Sequence, residues 1–190
     1  WYSAHLLEWP ALRYSVRDRF RFLNAVSAVM YASTLLQHDV RRDASSNTLV
    51  QNLSDVLHTL NPSRYLSIGN NRIYGRFPIS FQWPQSMQII SLGNNQLTGP
   101  VPNWTTSNLR SLVVLQLQSN ELEGTLGLPP SDKLQIVNAH SNKLATIDNS
   151  SWCAHYSTLQ AANLPFSANL AGNPLDCEVS CSHAHTGNAK

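Results

Sequence analysis

The chain has 190 residues, a formal net charge of +2 at pH 7 and only 13% charged residues. This length suits one domain with an appendage, and the low charge gives no case for binding nucleic acid or an anionic membrane surface. Residues 1–43 contain six of the 13 basic residues, all Arg, whereas residues 44–190 contain seven basic and seven acidic residues. Most of the chain is therefore electrically neutral.

The first 45 residues allow three interpretations. Arg17, Arg19 and Arg21 precede the mostly apolar stretch "LNAVSAVMYASTLL" at residues 23–36, which is typical of the front of an export signal. Against this, the arginines lie well inside the chain and no small-x-small cleavage site follows the stretch. It is also too short and too polar to span a bilayer. A packed or amphipathic helix, a retained export segment and an incomplete start all stay open.

Residues 46–62 are predicted to form a helix that covers one end of the structure that follows. Ser45 or Ser46 can cap its start and Pro62 can stop it. Its apolar residues recur at the spacing of one helical face and are Leu49, Val50, Leu53, Val56, Leu57 and Leu60.

The next segment of the chain repeats itself. The stretch "SIGNNRIYGR" at residues 67–76 returns as "SLGNNQLTGP" at residues 91–100. Aligned on the second Asn, the frame continues at Asn120 and Asn142, with spacings of 24, 25 and 22. Apolar and polar residues alternate before each Asn, which predicts a short strand with one buried face in every unit.

The recurrence of this Asn together with the apolar positions resembles the leucine-rich repeat. Gly75 with "RFP" and Gly99 with "PVP" resemble the plant-type extracellular subclass, found in receptor ectodomains and trypanosomatid surface antigens; the third unit keeps Gly124 but loses the Pro. The resemblance covers residues 63–181. It implies a short right-handed α/β solenoid with a concave parallel sheet, irregular or 3₁₀ segments outside, and a cysteine-bearing C-terminal cap.

This resemblance divides the chain into five parts. They are the unassigned segment 1–45, the helical cap 46–62, the repeats 63–152, the last coil with its cap 153–181, and the polar tail 182–190.

The recurring asparagines are predicted to be structural. An Asn amide both donates and accepts hydrogen bonds, so it can satisfy backbone groups where the chain leaves each strand. The motif "NPLDC" resembles the start of a cysteine-bearing cap and contributes a further position. The predicted Asn ladder is Asn71, Asn95, Asn120, Asn142 and Asn173.

The cysteines and the glycosylation sequons bear on the compartment. The resemblance implies a disulfide from Cys153, in the inserted stretch "SSWCAHYS", to Cys177 or Cys181 of the cap, in an oxidising environment. One thiol is left over. Three sites fit the N-glycosylation acceptor, which matters only if the chain is exported: Asn52, Asn103 and Asn149.

No catalytic signature is present in the sequence. We find no phosphate-binding Gly-rich loop, no nucleophile elbow and no H-E-x-x-H motif, so we expect neither an enzyme nor a cofactor. The best zinc candidate joins Cys177 and Cys181 to His183 and His185, but the cap already explains these cysteines.

The outward positions of the predicted strands form the candidate binding site. Across the coils, one column reads Tyr65, Ile89, Val114, Ile136, the next Ser67, Ser91, Gln116, Asn138, and a third Gly69, Gly93, Gln118, His140. A polar, uncharged face beside an apolar column suits hydrogen bonding to a peptide backbone or a sugar. Its candidate ligand-binding residues are Tyr65, Ser67, Ile89, Ser91, Val114, Gln116, Gln118, Asn138 and His140. An ordinary solvated sheet is the alternative.

We therefore expect a recognition module that binds a protein, peptide or glycan, secreted or at the cell surface. Association with a membrane would need an anchor that the sequence does not show. The alternatives are an intracellular, cytoplasmic interaction scaffold with reduced cysteines, and a degenerate repeat with no ligand of its own.

Overall fold

The computed structural model describes residues 41–62, 64–104 and 107–176. Several predictions fall outside these residues: those on the first 40 positions, the cap cysteines Cys177 and Cys181, and the zinc candidates His183 and His185.

The chain winds into successive coils, each of which adds one strand to a six-stranded parallel sheet. Each strand pairs with the equivalent strand one coil later, so that Tyr65 pairs with Ile89 and Ile89 with Val114. The strands, in both chain order and spatial order, are β1 (Arg41–Asp43), β2 (Tyr65–Ser67), β4 (Ile89–Ser91), β6 (Val114–Gln116), β8 (Ile136–Asn138) and β10 (Ser167–Asn169). The predicted parallel-sheet solenoid is confirmed.

A second parallel sheet of four strands follows the ladder asparagines. Its strands are β3 (Tyr74–Gly75), β5 (Gln96–Pro100), β7 (Glu121–Leu126) and β9 (Lys143–Ile147). The prediction of irregular or 3₁₀ segments was wrong here. Burial alternates again along β5, where Leu97 and Gly99 are buried and Gln96 is exposed, and equal coil spacing brings these extended backbones into register.

The helix in the first coil is shorter than predicted. Helix α1 spans Leu53–Leu60, and its N-cap is Asn52, whose Oδ1 accepts from the Ser54 backbone N–H at 2.9 Å. Val50 is 58% exposed and lies outside it. Residues 41–43 instead form β1, so the boundary expected at residue 45 falls inside a coil. A carboxamide placed directly before the apolar run caps the helix better than a serine six residues earlier.

The insertion in the last coil is helical. Helix α2 spans Asn149–Ala161 and crosses the boundary predicted at residue 152. Its N-cap is Asp148, whose carboxylate accepts hydrogen bonds from Ser150 and Ser151 that hold the pKa of Asp148 below its ordinary value. Trp152 anchors the helix to the solenoid because its Nε1 donates to the Leu126 carbonyl at 2.9 Å.

The core is a narrow stack of apolar layers between the two sheets. The layer beneath the six-stranded sheet contains Leu66, Ile90, Leu115 and Val137, each at most 1% exposed. Burying a side chain of this size contributes about 1.5–3 kcal/mol. Since each coil lacks a closed core of its own, neighbouring coils share these layers, and the coils stabilise one another.

Neither helix of the described residues has the length and apolar character needed to cross a bilayer. Within the same residues, no group of three or more His, Cys, Asp or Glu side chains is placed to hold a metal ion.

Candidate functional site: the outward face of the six-stranded sheet

The Asn ladder holds one coil to the next. The Oδ1 of Asn120 accepts from the Leu97 backbone N–H at 3.0 Å, and its Nδ2 donates to the carbonyls of Leu92 at 3.1 Å and Leu117 at 3.0 Å. Leu92 and Leu97 lie in the preceding coil, whereas Leu117 lies in the same coil as Asn120. The same pattern recurs at Asn71, Asn95, Asn142 and Asn173.

The sequence analysis missed Asn47, the first member of this ladder among the described residues. Its Nδ2 donates to the carbonyls of Ala44 at 2.9 Å and Ser45 at 3.1 Å, and these two bonds within one coil recur at Asn71, Asn95, Asn120 and Asn142. A signal was present, because Asn47 lies 24 positions before Asn71 and is followed at the right interval by the buried Leu49.

The residue before each ladder Asn turns the chain off the sheet. Its φ is positive in every coil: 55° at Ser46, 56° at Asn70, 56° at Asn94, 53° at Ser119, 54° at Ser141 and 70° at Gly172. Gly and Asn adopt this left-handed conformation more readily than other residues. These residues therefore mark the edge of the outward face.

The register builds the predicted columns. The apolar column joins Tyr65, Ile89, Val114 and Ile136 through directly paired positions, and the polar column joins Ser67, Ser91, Gln116 and Asn138 in the same way. The polar column is longer than predicted, because Asp43 adds to one end and Asn169 to the other. Both additions were missed because their strands lie outside the four units that the repeat pattern revealed.

Hydrogen bonds between coils fix several of the outward side chains. The Tyr65 hydroxyl donates to Gln88 Oε1 at 2.8 Å, and the Ser91 hydroxyl donates to Gln116 Oε1 at 2.8 Å. These bonds hold an aromatic ring at one end of the face and a carboxamide near its middle. Within a single coil, His140 Nδ1 lies 2.9 Å from Ser141 Oγ at the edge of the face.

A glycine lets one carboxamide lie flat on the sheet. A Cβ added to Gly93 would lie 2.4 Å from both Cδ and Nε2 of Gln118, so the missing side chain makes the space that Gln118 occupies. Gln118 Oε1 and Asn138 Oδ1 are both buried acceptors without a hydrogen-bond donor among the described residues. Buried polar atoms usually have a partner, so a ligand whose donors reach these two acceptors would complete their hydrogen bonding.

The face carries no formal charge over most of its length. From β2 to β10, the outward strand positions contain no Asp, Glu, Lys or Arg, and the carboxylate of Asp43 lies in the first coil. That carboxylate accepts from the Ser45 hydroxyl at 2.7 Å. A neutral face does not favour phosphate or another polyanion.

A groove outside this face lies between α2 and residues 128–132. It has a volume of about 460 Å³ and is lined in part by Pro129, Ser131 and His155. His155 is 7% exposed, its Nε2 lies 2.6 Å from the Leu134 carbonyl oxygen, and burial lowers its pKa below the ordinary value of 6.5. The sequence analysis did not find this groove, since it depends on how the inserted helix packs.

The other predicted sites lie away from the outward face. Asn52 caps α1, Asn103 is exposed in the loop after β5, and Asn149 is exposed at the start of α2. Cys153, in the same helix, is disulfide-bonded, and its partner lies outside the described residues.

The ladder, the shared core and the stacked parallel strands together define a leucine-rich-repeat solenoid.

Comparison with known proteins agrees with this class. No protein-family model matches the chain. It is 26% identical over 133 residues to Receptor-like protein 18 of Arabidopsis thaliana, a match that covers 70% of this chain and 15% of that protein. Over 110 residues it is 27% identical to Receptor-like protein 43 of the same organism, a match that covers 58% of this chain and 14% of that protein. The chain thus spans no more than about 15% of the length of these relatives.

Two solved structures share the fold. The leucine-rich-repeat ectodomain of the receptor kinase SOBIR1 from Arabidopsis thaliana matches with a TM-score of 0.52 and 24% identity, covering 71% of this chain and 68% of that one. The plant peptide hormone receptor RGFR1, in complex with RGF2, matches with a TM-score of 0.54 and 22% identity, and the match covers 71% of this chain and 20% of that one. The chain therefore has the leucine-rich-repeat solenoid fold, and its glycine-containing turns resemble those of the plant extracellular subclass.

Proposed function

We propose that this chain is a non-catalytic recognition module, secreted or at the cell surface, that binds an extended peptide segment on the outward face of its six-stranded sheet. The contact residues are Tyr65, Ser67, Ile89, Ser91, Val114, Gln116, Gln118, Asn138 and His140. The observation that carries the proposal is the pair of registered columns, one apolar and one polar, which run side by side across the coils.

An extended peptide matches these columns in its chemistry. Its backbone presents donors and acceptors along its whole length, and its side chains alternate between two sides. The polar column offers hydroxyl and carboxamide groups to the backbone, while the apolar column offers Ile89 and Val114 to apolar side chains. Since the face from β2 to β10 is uncharged at its outward strand positions, binding does not require a charged ligand.

The length of the bound segment follows from the coil spacing. Parallel strands stack about 4.8 Å apart, so the five strands from β2 to β10 extend over about 19 Å. An extended peptide rises about 3.3 Å per residue, which gives a footprint of about six residues. Tyr65 is the anchor at one end, because its ring gives apolar contact area and its hydroxyl is already fixed by Gln88.

The later coils determine which peptide is bound. The first two repeats present the same small groups, Ser67 and Ser91, whereas the next two present Gln116 and Asn138. Among the described residues, the side-chain oxygens of Gln118 and Asn138 also lack a hydrogen-bond donor, and a turn about their terminal bonds would direct these atoms toward a ligand. An amide N–H of a bound peptide would satisfy each of them.

The exported location has separate support. The relatives are receptor-like proteins by name, and one structure of the same fold is a plant peptide hormone receptor with its partner RGF2. A disulfide at Cys153 also suits an oxidising compartment.

The test is a selection from a random-peptide phage library on the immobilised chain, followed by titration of the selected synthetic peptides. Replacing both Gln116 and Asn138 by Ala is expected to weaken binding by at least about tenfold. The matched control replaces Thr98 and Glu123 by Ala on the second sheet, and it should leave binding unchanged. Equal losses in both variants, or a library that yields no binder while a glycan array does, would refute the peptide-binding face.

A further inference from the structure

Two of the three glycosylation sequons, at Asn52 and Asn149, lie in very different surroundings. We infer that Asn149 carries an N-linked glycan in the mature protein and that Asn52, despite an equally good sequon, does not. The inference rests on the exported location in the proposed function and concerns a part of the surface that does not bind the peptide. The sequon of Asn103 is described only in part, since Thr105 lies outside the described residues.

The carboxamide of Asn52 is part of the fold. Its Oδ1 accepts from Ser54 N–H at 2.9 Å and caps α1, while its backbone forms a bridge to Tyr74 in the next coil. Its Nδ2 faces Gly75, where an added Cβ would lie only 2.7 Å away. The atom that would carry the sugar is therefore pressed against the neighbouring coil, and a glycan there would separate the two coils or break the cap.

Gly75 shows that this contact is tight. Its φ is +95°, a conformation that a residue with a side chain rarely adopts, and the lack of a side chain leaves room for the Asn52 carboxamide. A space that does not admit one methyl group without a shift cannot admit a sugar ring.

Asn149 has none of these constraints. It is exposed at the first position of the 13-residue helix α2, and the capping role falls to its neighbour Asp148. Within the part of the chain that the structure describes, the Asn149 carboxamide has no hydrogen-bond partner. A glycan on its Nδ2 would extend into solvent, and neither the Asn ladder nor the outward face would change.

The modification is a transfer from a lipid-diphosphate-linked oligosaccharide. The side-chain nitrogen of Asn149 forms a bond to the anomeric carbon and loses one proton. The bond from that carbon to the diphosphate oxygen breaks, and the lipid diphosphate leaves with the electron pair. No oxidant or reductant takes part.

The transfer can precede folding, so the folded product reports which sites are compatible with the fold. A chain modified at Asn52 before folding could not complete its first coil. Secreted, folded protein should therefore be free of glycan at Asn52, whatever the transferase does to the nascent chain.

The experiment expresses the full chain behind a heterologous secretory leader in a eukaryotic host. The secreted monomer is treated with N-glycosidase in heavy-oxygen water, and peptide mass spectrometry identifies each Asn that was converted to labelled Asp. We expect label at Asn149 and none at Asn52. Asn149→Gln should remove one glycan, whereas Ser54→Ala, which destroys the Asn52 sequon but keeps the cap, should leave the glycan count unchanged.

A second variant, Ser54→Thr, makes the Asn52 sequon a stronger acceptor for the transferase. Even so, the folded, secreted protein should carry no glycan at Asn52. Label at Asn52 in folded monomer, or unlabelled Asn149, would overturn the inference. Because the heterologous leader delivers the chain to the transferase in any case, failure here is distinct from failure of the native chain to be exported or to bind peptides.

Discussion

Replacing Asn120 by Ala tests the Asn ladder at a buried position. Asn120 is 8% exposed, and its Oδ1 is the hydrogen-bond partner of the buried Leu97 N–H at 3.0 Å. An orphaned buried donor costs about 1–3 kcal/mol. The carbonyls of Leu92 and Leu117 lose one of two bonds each, since Asn95 and Asn142 still donate to them. At about 1 kcal/mol per lost bond, the total decrease in the free energy of unfolding is about 3–5 kcal/mol.

The matched control is Asn47→Ala. Asn47 is the equivalent residue at the start of the described part of the ladder, but it is exposed, and the two bonds that its Nδ2 donates stay within its own coil. Water replaces these bonds, so we expect a decrease of only about 0.5 kcal/mol. Urea unfolding followed by circular dichroism gives both values, provided that the slope with denaturant is unchanged. A loss below about 1 kcal/mol for Asn120→Ala, or equal losses for the two variants, would refute the role of the ladder.

Three further changes have definite expected results. Gly93→Ala should displace the Gln118 carboxamide, which reduces peptide affinity in a titration and lowers the free energy of unfolding in urea by about 1 kcal/mol. Adding Gln118→Ala to this variant should relieve the clash and restore stability. If stability is not restored, the contact is not the cause of the loss. Because burial lowers the pKa of His155 below 6.5, the unfolded chain takes up its proton at a higher pH than the folded chain, so stability is complete above pH 6.5 and falls as the pH is lowered through and below this value. The slope is at most about 1.4 kcal/mol per pH unit and should flatten in His155→Gln, as followed by thermal unfolding across pH; an equal slope in the variant would exclude His155 as its source. Cys153→Ser should lower the free energy of unfolding by about 2–4 kcal/mol under oxidising conditions, because it removes the disulfide. Under reducing conditions the variant and the unchanged chain should be equally stable. A difference in stability that persists there would show that packing of Cys153, not the disulfide, is responsible.

The repeat unit was predictable because its physical requirements are local. A strand with one buried face needs alternating apolar and polar residues, and the turn after it needs an amide that both donates and accepts hydrogen bonds. Residues equivalent to Leu92 and Asn95 are therefore found in each repeat. The outward columns followed directly, since alternation fixes which residues leave the core. The same alternation, with the coil spacing, is enough to predict that Gln116 lies beside Asn138, as the strand register confirms.

Other parts of the candidate site depended on contacts between coils. The position of the Gln118 carboxamide over Gly93 depends on the packing of two neighbouring coils. Neither the sequence around Gly93 nor the sequence around Gln118 indicates this contact by itself. The difference between the Asn52 and Asn149 sequons is of the same kind, because both read as Asn-x-Ser. Only packing shows that Gly75 lies against Asn52.

The sequence by itself determined the repeating unit, its ladder and its neutral outward face, because each depends on spacings of two to 31 residues that are written in the chain. Tertiary structure decided the first coil, the second sheet and the extent of both helices. β1 carries no apolar alternation that marks it, and it joins the sheet because β2 offers a free edge beside it. The second sheet likewise forms because stacking fixes the distance between coils. In both cases the pairing partner lies a full coil away, where local propensity has no influence.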